Sequence, residues 1–456
     1  MTTPFDYAAQ HQERFVRQLS DWLRIPSIST DLAFKNDILR AAHWLAEDMR
    51  RIGLENVALM ETGGHPVVYG EWLHAGPDKP TVLIYGHYDV QPAVMEDGWT
   101  NPPFEPVIRD DKLIARGASD DKGQVMIQLK AIEALLATGT CPVNVKYLIE
   151  GEEESGSTNL TRFVNQNKAL LKADLCLISD TGIRSADQPV IVYGLRGILS
   201  MELIVTGPKR DLHSGAGGNI HNPAQAICEI IAQLHHPDGR VNVAGFYDRV
   251  PELSEQERAL LNRADDTNAE WEAYMGNLPV WGEPGYSRIE RRGARPTLEI
   301  NGIASGYAGE GFKTVLPARA IAKISCRLVP DQDPKEIFEL VQARIAELTP
   351  PTVNVEFKML DYGHPAITPI DHPATQAAVR AYSAHFPNEP LYVRGGGSIP
   401  VVADFQNIMG LPVVLLGFAL PDSGAHGPDE NFSLTMYARG IDTVITYLHE
   451  VAALKA

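Results

Sequence analysis

The sequence predicts an α/β protein: a mostly parallel, wound sheet whose domain is interrupted by a second, inserted α+β domain. Three observations carry this. Short apolar runs that read as buried strands alternate with amphipathic helical stretches through residues 56–179. Metal-type polar side chains stand just beyond the ends of those runs, where open α/β sheets place their ligand sites. Finally, the texture changes near residue 190 to alternating strands and returns to its first character after residue 362.

Residues 5–24 and 36–53 have helical periodicity, with Phe15, Leu19 and Leu23, then Leu39, Trp44 and Met49, at about i, i+4 spacing. The IPSIST turn separates them, and Gly53 suits a helix stop. Strands are predicted at 56–60, 66–73 and 81–85. Gly123 opens a helix with an apolar face of Val125, Ile127, Leu129, Ile132 and Leu135, and Gly139 ends it. Strand 143–149, helix 157–169 and strand 174–179 follow. Residues 190–206 (VIVYGLRGILSMELIVT) read as a hairpin. A helix is predicted at 223–235, a polar helical stretch at 253–275, strands at 297–300, 319–329 and 352–359, and a helix at 334–348. Helix 372–385, strand 391–393 and a closing strand and helix resume the first pattern. The domain boundaries are therefore 1–194 and 363–456 for the first domain and 195–362 for the insertion.

Composition narrows the function classes. The chain has 456 residues, 44% apolar, enough for a substantial core. Lys plus Arg number 40 against 58 Asp plus Glu, a net charge of −18, which argues against a nucleic-acid partner. Cys141, Cys176, Cys228 and Cys326 form no CxxC pair, and three of them sit in apolar, strand-like or helical runs, which reads as buried free thiols. The opening MTTPFDYAAQHQERF has no basic segment followed by an apolar one. No apolar stretch approaches the ~20 residues that span a bilayer. A cytoplasmic protein without a membrane partner is the expectation. GxSxG, HExxH and GxxxxGK[ST] motifs are all missing.

The chemistry begins at residues 81–89, TVLIYGHYD. His87 and Asp89 are two apart, so in extended chain both face one side. Residues 143–149 empty into Glu150, Glu152, Glu153 and Glu154; residues 173–179 empty into Asp180; residues 411–418 lead to His426; Leu113 and Ile114 shortly precede Asp120 and Asp121. An acidic run alone is ordinarily a solvated loop and a lone histidine a structural one; five such signals after five apolar runs point to one pocket. His87, Asp120, Glu154, Asp180 and His426 form a mixed N/O donor set suited to Zn²⁺ or Mn²⁺. Five donors exceed what one catalytic zinc takes but suit two metals if one carboxylate bridges. Such metals lie about 3.5–4 Å apart and activate a water between them. Glu153, the spare carboxylate beside a ligand, is the natural general base.

GHYDVQP (86–92), RGASDDKG (116–123), EGEEESGS (150–157), SD (179–180) and AHGPDE (425–430) together resemble the M20 family of di-metal peptidases, in particular its cytosolic non-specific dipeptidase and carnosinase-like branch. The resemblance spans nearly the whole chain. It implies a di-zinc peptidase-like catalytic domain with an inserted lid and dimerisation domain. One metal would be held by His87, Asp120 and Asp180 and the other by Asp120, Glu154 and His426, with Asp89 orienting His87 and a cis peptide possible after Asp120. DLHSGAGGN (211–219), KTVLPAR (313–319), CRLVP (326–330) and RGGGSIP (394–400) look like the family's substrate-handling elements. By that likeness His213 reaches a partner subunit's active site in a homodimer and stabilises the oxyanion, with Thr314 near it. Arg327 and Ser398 grip the substrate's terminal carboxylate, and Gly395 to Ser398, Gly397 among them, offer backbone N–H groups to it. The implied reaction is hydrolysis of small peptides with a free C-terminal carboxylate. A deacylase or desuccinylase of N-acyl amino acids on the same scaffold is the alternative, and a catalytically dead interaction protein is disfavoured because every ligand and the base are present.

Overall fold

The computed structural model describes residues 2–276 and 278–454. The chain divides into two compact units, one of Met1–Tyr193, Thr368–Tyr392 and Asp404–Ala456, the other of Gly194–Ile367 with Val393–Ala403. Among the described residues no helix is long and apolar enough to cross a membrane.

In the first unit, strands Asn144–Glu150, Thr81–His87, Leu175–Ile178 and Val413–Leu415 lie side by side in that order, all parallel. Asn144–Glu150 and Leu175–Ile178 are buried along their whole length, which is why they read as unbroken apolar runs rather than alternating ones. Both edges are antiparallel: Val67–Trp72 and Glu55–Met60 on one side, Val190–Leu195 on the other. The register levels the carboxyl ends, with His87 opposite Glu150 and Tyr85 opposite Ile178. The polar residues that follow these strands are thereby delivered to one end of the sheet.

Helix Lys122–Ala137 packs on Thr81–His87 and is itself covered by helices Pro4–Leu23 and Leu434–Ala452. It fits closely because residue 86 is glycine: a Cβ there would meet Val125 at 2.5 Å and Asp121 at 2.7 Å. A small antiparallel sheet, Asn431–Ser433, Lys112–Ile114 and Val107–Arg109, ties the late segment to the one before Asp120.

The second unit is an antiparallel sheet in the order Thr297–Ser305, Arg319–Leu328, Gly197–Thr206, Asn354–Gly363. Leu199, Met201, Leu203 and Val205 alternate into a core shared with Ile227 and Ile230 of helix Pro223–Ile231 and with Ile337, Val341 and Ile345 of helix Pro334–Leu348.

The structure corrects three readings. Residues 190–206 form no hairpin: Val190–Leu195 and Gly197–Thr206 join different sheets, with only Arg196 between them. Gly197 is set against the backbone, since a Cβ would lie 2.6 Å from the Gly363 carbonyl oxygen, so the chain passes straight on instead of turning. The stretch 157–169 is broken into Leu160–Gln166 and Lys168–Leu171. Asn167 closes the first helix by donating its side-chain amide to the Phe163 carbonyl at 2.8 Å. Lastly, Cys228 is exposed on its helix, while Cys176 and Cys326 are buried and all four thiols are free.

A charge network fastens three helices of the first unit. Glu133 accepts from Arg51 at 2.8 and 3.0 Å and from Lys130 at 3.0 Å, and Arg14 lies 2.7 Å away. Asp48 completes it, bonded to Lys130 at 2.6 Å and to Arg51 at 2.7 Å. Burial alone would raise the Glu133 carboxyl, but the contacts with Arg51, Lys130 and Arg14 prevail and hold it at about 2, against an ordinary 4.5. A carboxyl held low stabilises the fold above its unfolded value and loses that contribution as pH falls toward its folded one. Glu133→Gln should therefore lower stability by about 3 kcal/mol at neutral pH. In urea unfolding, the gap to the unsubstituted protein should narrow by about 2 kcal/mol on going from pH 4.5 to about pH 3; a gap independent of pH would contradict the network's role.

Candidate active site

The sheet's carboxyl end gathers the candidate donors. His87, last residue of its strand, has no exposed surface and points Nε2 at Asp120 Oδ1, 3.1 Å away, with Asp180 Oδ2 at 4.0 Å. Its Nδ1 faces the Asp89 carbonyl at 3.0 Å and the Asp89 carboxylate at 3.4 Å. With Nδ1–H donating there, the ring presents the Nε2 lone pair to the pocket. The Asp89 carboxylate also accepts the backbone N–H groups of Glu153 at 3.2 Å and Glu154 at 3.0 Å. One buried side chain thus positions the first histidine and the acidic turn together.

That turn is divided among distinct partners. Glu150 is buried and takes hydrogen bonds from Tyr85 and Ser157. Glu152 accepts from Asn159. Glu154 Oε2 lies 3.3 Å from His426 Nε2 and accepts from Gln91 at 2.6 Å. Among the described residues the Glu153 carboxylate has no hydrogen-bond or ion-pair partner. Burial pushes it up to about 7, against the pull of His87 and reinforced by Glu154, Asp89 and Asp120.

His426 approaches from the exposed side. Its backbone has φ 61°, in the left-handed region that non-glycine residues seldom adopt, between Gly424 (φ 68°) and Asp429 (φ 53°). Such strain persists where the surroundings enforce it. Here the Arg116 guanidinium reaches the Gly427 carbonyl at 3.3 Å, and Asn431 ties Asp422, Ser423 and Asp429 together. His426 Nε2 then sits 2.9 Å from Asp120 Oδ2.

Asp120 is therefore shared, with one oxygen toward each imidazole. Two donor groups result, His87–Asp120–Asp180 and Asp120–Glu154–His426, and within each the ligand atoms lie within 4.8 Å of one another. The peptide bond from Asp120 to Asp121 is cis. Burial opposes charge on Asp120, yet the close approach of the His426 and His87 imidazoles holds its carboxyl below the usual range. The Asp120 carboxylate, and after it that of Glu154, lift His426 to about 10. Burial, with Asp120 adding repulsion, pushes the Asp180 carboxyl well above its ordinary value. Asp89, Asp120, Glu153, Glu154 and Asp180 crowd around two imidazoles, a surplus of negative charge that fits divalent cations, and the oxygen and nitrogen donors suit the borderline metals.

One member escaped sequence reasoning. Glu430 is fully buried, and its carboxylate accepts from the backbone N–H of Gly117 (3.0 Å), Ser119 (2.9 Å) and Asp120 (3.0 Å), from the Ser119 hydroxyl (3.2 Å) and from Arg116 (2.6 Å). It moors the loop that carries the shared aspartate. Its signal was present as the last letter of AHGPDE, but the partner lies 310 residues away in sequence.

In the second unit, His213 pairs opposite Val315 and is exposed, and the Ser214 N–H donates to the Thr314 carbonyl at 3.1 Å. Arg327 Nη1 donates to Ser398 Oγ at 3.1 Å, and the Gly397 carbonyl accepts from the Arg196 N–H at 3.1 Å.

The sequence profile of Peptidase family M20/M25/M40 matches residues 83–450. The chain belongs to this family. This M20 protein is accordingly an enzyme, a hydrolase of the metallopeptidase class. It is 32% identical to the Cys-Gly metallodipeptidase of Schizosaccharomyces pombe, over 99% of this chain and 98% of that one. To the Beta-Ala-His dipeptidase of Homo sapiens it is again 32% identical, over 99% and 92%. The solved M20 metallo-carboxypeptidase of Sulfolobus solfataricus superposes with a TM-score of 0.87 at 34% identity, covering 96% of this chain and 99% of that one.

If Glu430 sets the position of Asp120, Glu430→Gln should keep the fold and weaken zinc binding about 10–100-fold in calorimetric titration. Unchanged affinity would remove Glu430 from the site's support.

Proposed function

We propose that the chain is a metal-dependent dipeptidase that hydrolyses small peptides with a free C-terminal carboxylate. The observation that carries this is the pair of donor triads meeting at Asp120, with an unengaged Glu153 beside them. The names of the fission-yeast and human relatives, each a dipeptidase, support the substrate class.

His87, Asp120 and Asp180 would hold one divalent cation and Asp120, Glu154 and His426 the other. Bound there, Zn²⁺ or Mn²⁺ would supply Lewis acidity and a water acidic enough to deprotonate near neutrality. Glu153 accepts that proton at its carboxylate and returns it to the leaving amine; a value near 7 suits a group that must do both. Asp89 keeps Nε2 of His87 unprotonated. Arg327, with the Ser398 hydroxyl and the Gly397 backbone, holds the terminal carboxylate. His213 serves as the oxyanion donor, with Thr314 beside it. Its Nδ1 accepts from the Gly215 N–H at 3.0 Å, which leaves the ring proton on the outward Nε2. In this reading the enzyme is a cytoplasmic homodimer in which His213 acts across the interface, and the second unit is its lid and dimerisation domain.

The Sulfolobus relative, named a metallo-carboxypeptidase, favours a second reading in which the same carboxylate grip serves longer peptides. Specificity constants decide between the two. A dipeptidase should cleave Cys-Gly and β-Ala-His with kcat/KM at least about tenfold above that for a matched tripeptide or N-acetyl amino acid. Faster cleavage of the tripeptide would establish the carboxypeptidase reading, and of the N-acetyl amino acid a deacylase. Glu153→Gln should still bind two equivalents of metal and lose about 10²–10⁴ in kcat, and EDTA should abolish turnover until Zn²⁺ or Mn²⁺ is restored. Full activity in that variant would contradict the assignment of the base.

A further inference from the structure

A cavity of ≈ 410 Å³ within the second unit is lined by Arg196, Arg288, Arg291, Arg292 and Arg327, a concentration of positive charge in a chain of net charge −18. Three of the five are accounted for. Arg288 lies 3.5 Å from Asp265, Arg292 lies 3.6 Å from Asp266, and Arg291 donates to the Glu283 carbonyl at 2.7 Å. Arg196 and Arg327 differ: among the described residues neither has a carboxylate in ion-pair contact. Both are fixed to one loop, Arg196 Nε by the Gly396 carbonyl at 2.9 Å and Arg327 Nη1 by Ser398 Oγ at 3.1 Å. Burial, and for Arg196 the adjacent charge of Arg327, pulls both guanidinium groups below their ordinary value. The Glu299 carboxylate on the cavity wall offsets Arg196 in part, but burial and the like charge of Arg327 prevail, so an arriving anion is favoured. The same cavity has apolar wall at Trp271, Val280 and Trp281.

We propose that Arg196 is a specificity-determining residue that receives an acidic side chain on the substrate's C-terminal residue, while Arg327 and Ser398 take that residue's α-carboxylate. The inference rests on the dipeptidase reading and names its substrate class as X-Glu and X-Asp. Two fixed guanidinium forks match two carboxylates on one residue. The apolar wall accommodates the methylene groups between them.

Ala-Glu and Ala-Gln differ only in this charge. The unsubstituted enzyme should favour Ala-Glu by at least about tenfold in kcat/KM, chiefly through KM. Arg196→Gln should lose that preference, with kcat/KM for Ala-Glu falling at least about tenfold more than that for Ala-Gln, and Arg196→Lys should retain part of it. Equal turnover of Ala-Glu and Ala-Gln by the unsubstituted enzyme would overturn the proposal, as would an equal loss on both substrates in Arg196→Gln. Were no dipeptide cleaved at all, the dipeptidase reading would fall. Calorimetric binding of Ala-Glu against Ala-Gln to the unsubstituted protein would then decide the role of Arg196 by itself, with equal affinities overturning it.

Discussion

The Asp120 carboxylate, with one oxygen facing each imidazole at 3.1 and 2.9 Å, is the contact on which the rest of the site depends. A single side chain can serve two donor groups only if its loop is held against rotation and its two histidines arrive from opposite sides. The loop is held by Glu430, which takes the Asp120 N–H along with those of Gly117 and Ser119. The first histidine comes from a buried central strand and the second from a strained exposed loop. Neither arrangement would be stable as a bare cluster of like charges. The carboxyls raised above their ordinary range at Asp180 and Glu153 record burial first, and then the negative charge the fold gathers beside them.

The parallel strands explain why this charge can be assembled at all. Their carboxyl ends are level, so residues from three strands meet without long excursions. The fourth contribution, from residues 426–430, lies far along the chain and is brought in by the pairing of Asn431–Ser433 with Lys112–Ile114. Three residues of strand thus set the position of both His426 and Glu430.

Legibility in the sequence followed the same physics. His87 and Asp180 could be read because each follows a wholly apolar strand, a strong local signal. Glu153 and Glu154 could be named with expected roles, but the duties of Glu150 and Glu152 could not, since they depend on Tyr85, Ser157 and Asn159 closing on them in the fold. Glu430 was hidden because a buried carboxylate that caps backbone N–H groups leaves no pattern around itself. Arg196 was hidden by the hairpin reading of residues 190–206, whereas Gly197 carries the chain from one sheet into another. Helix Pro400–Met409 was likewise unforeseen, because its proline and the glycines before it read as loop.

The central claim is that Asp120 is shared between two cations. Anomalous X-ray scattering from crystals grown with zinc tests it most directly. The account predicts two peaks flanking the Asp120 carboxylate, one within coordination distance of His87 and Asp180 and the other of Glu154 and His426. A single peak, or two peaks of which either lacks Asp120 as a ligand, would contradict it.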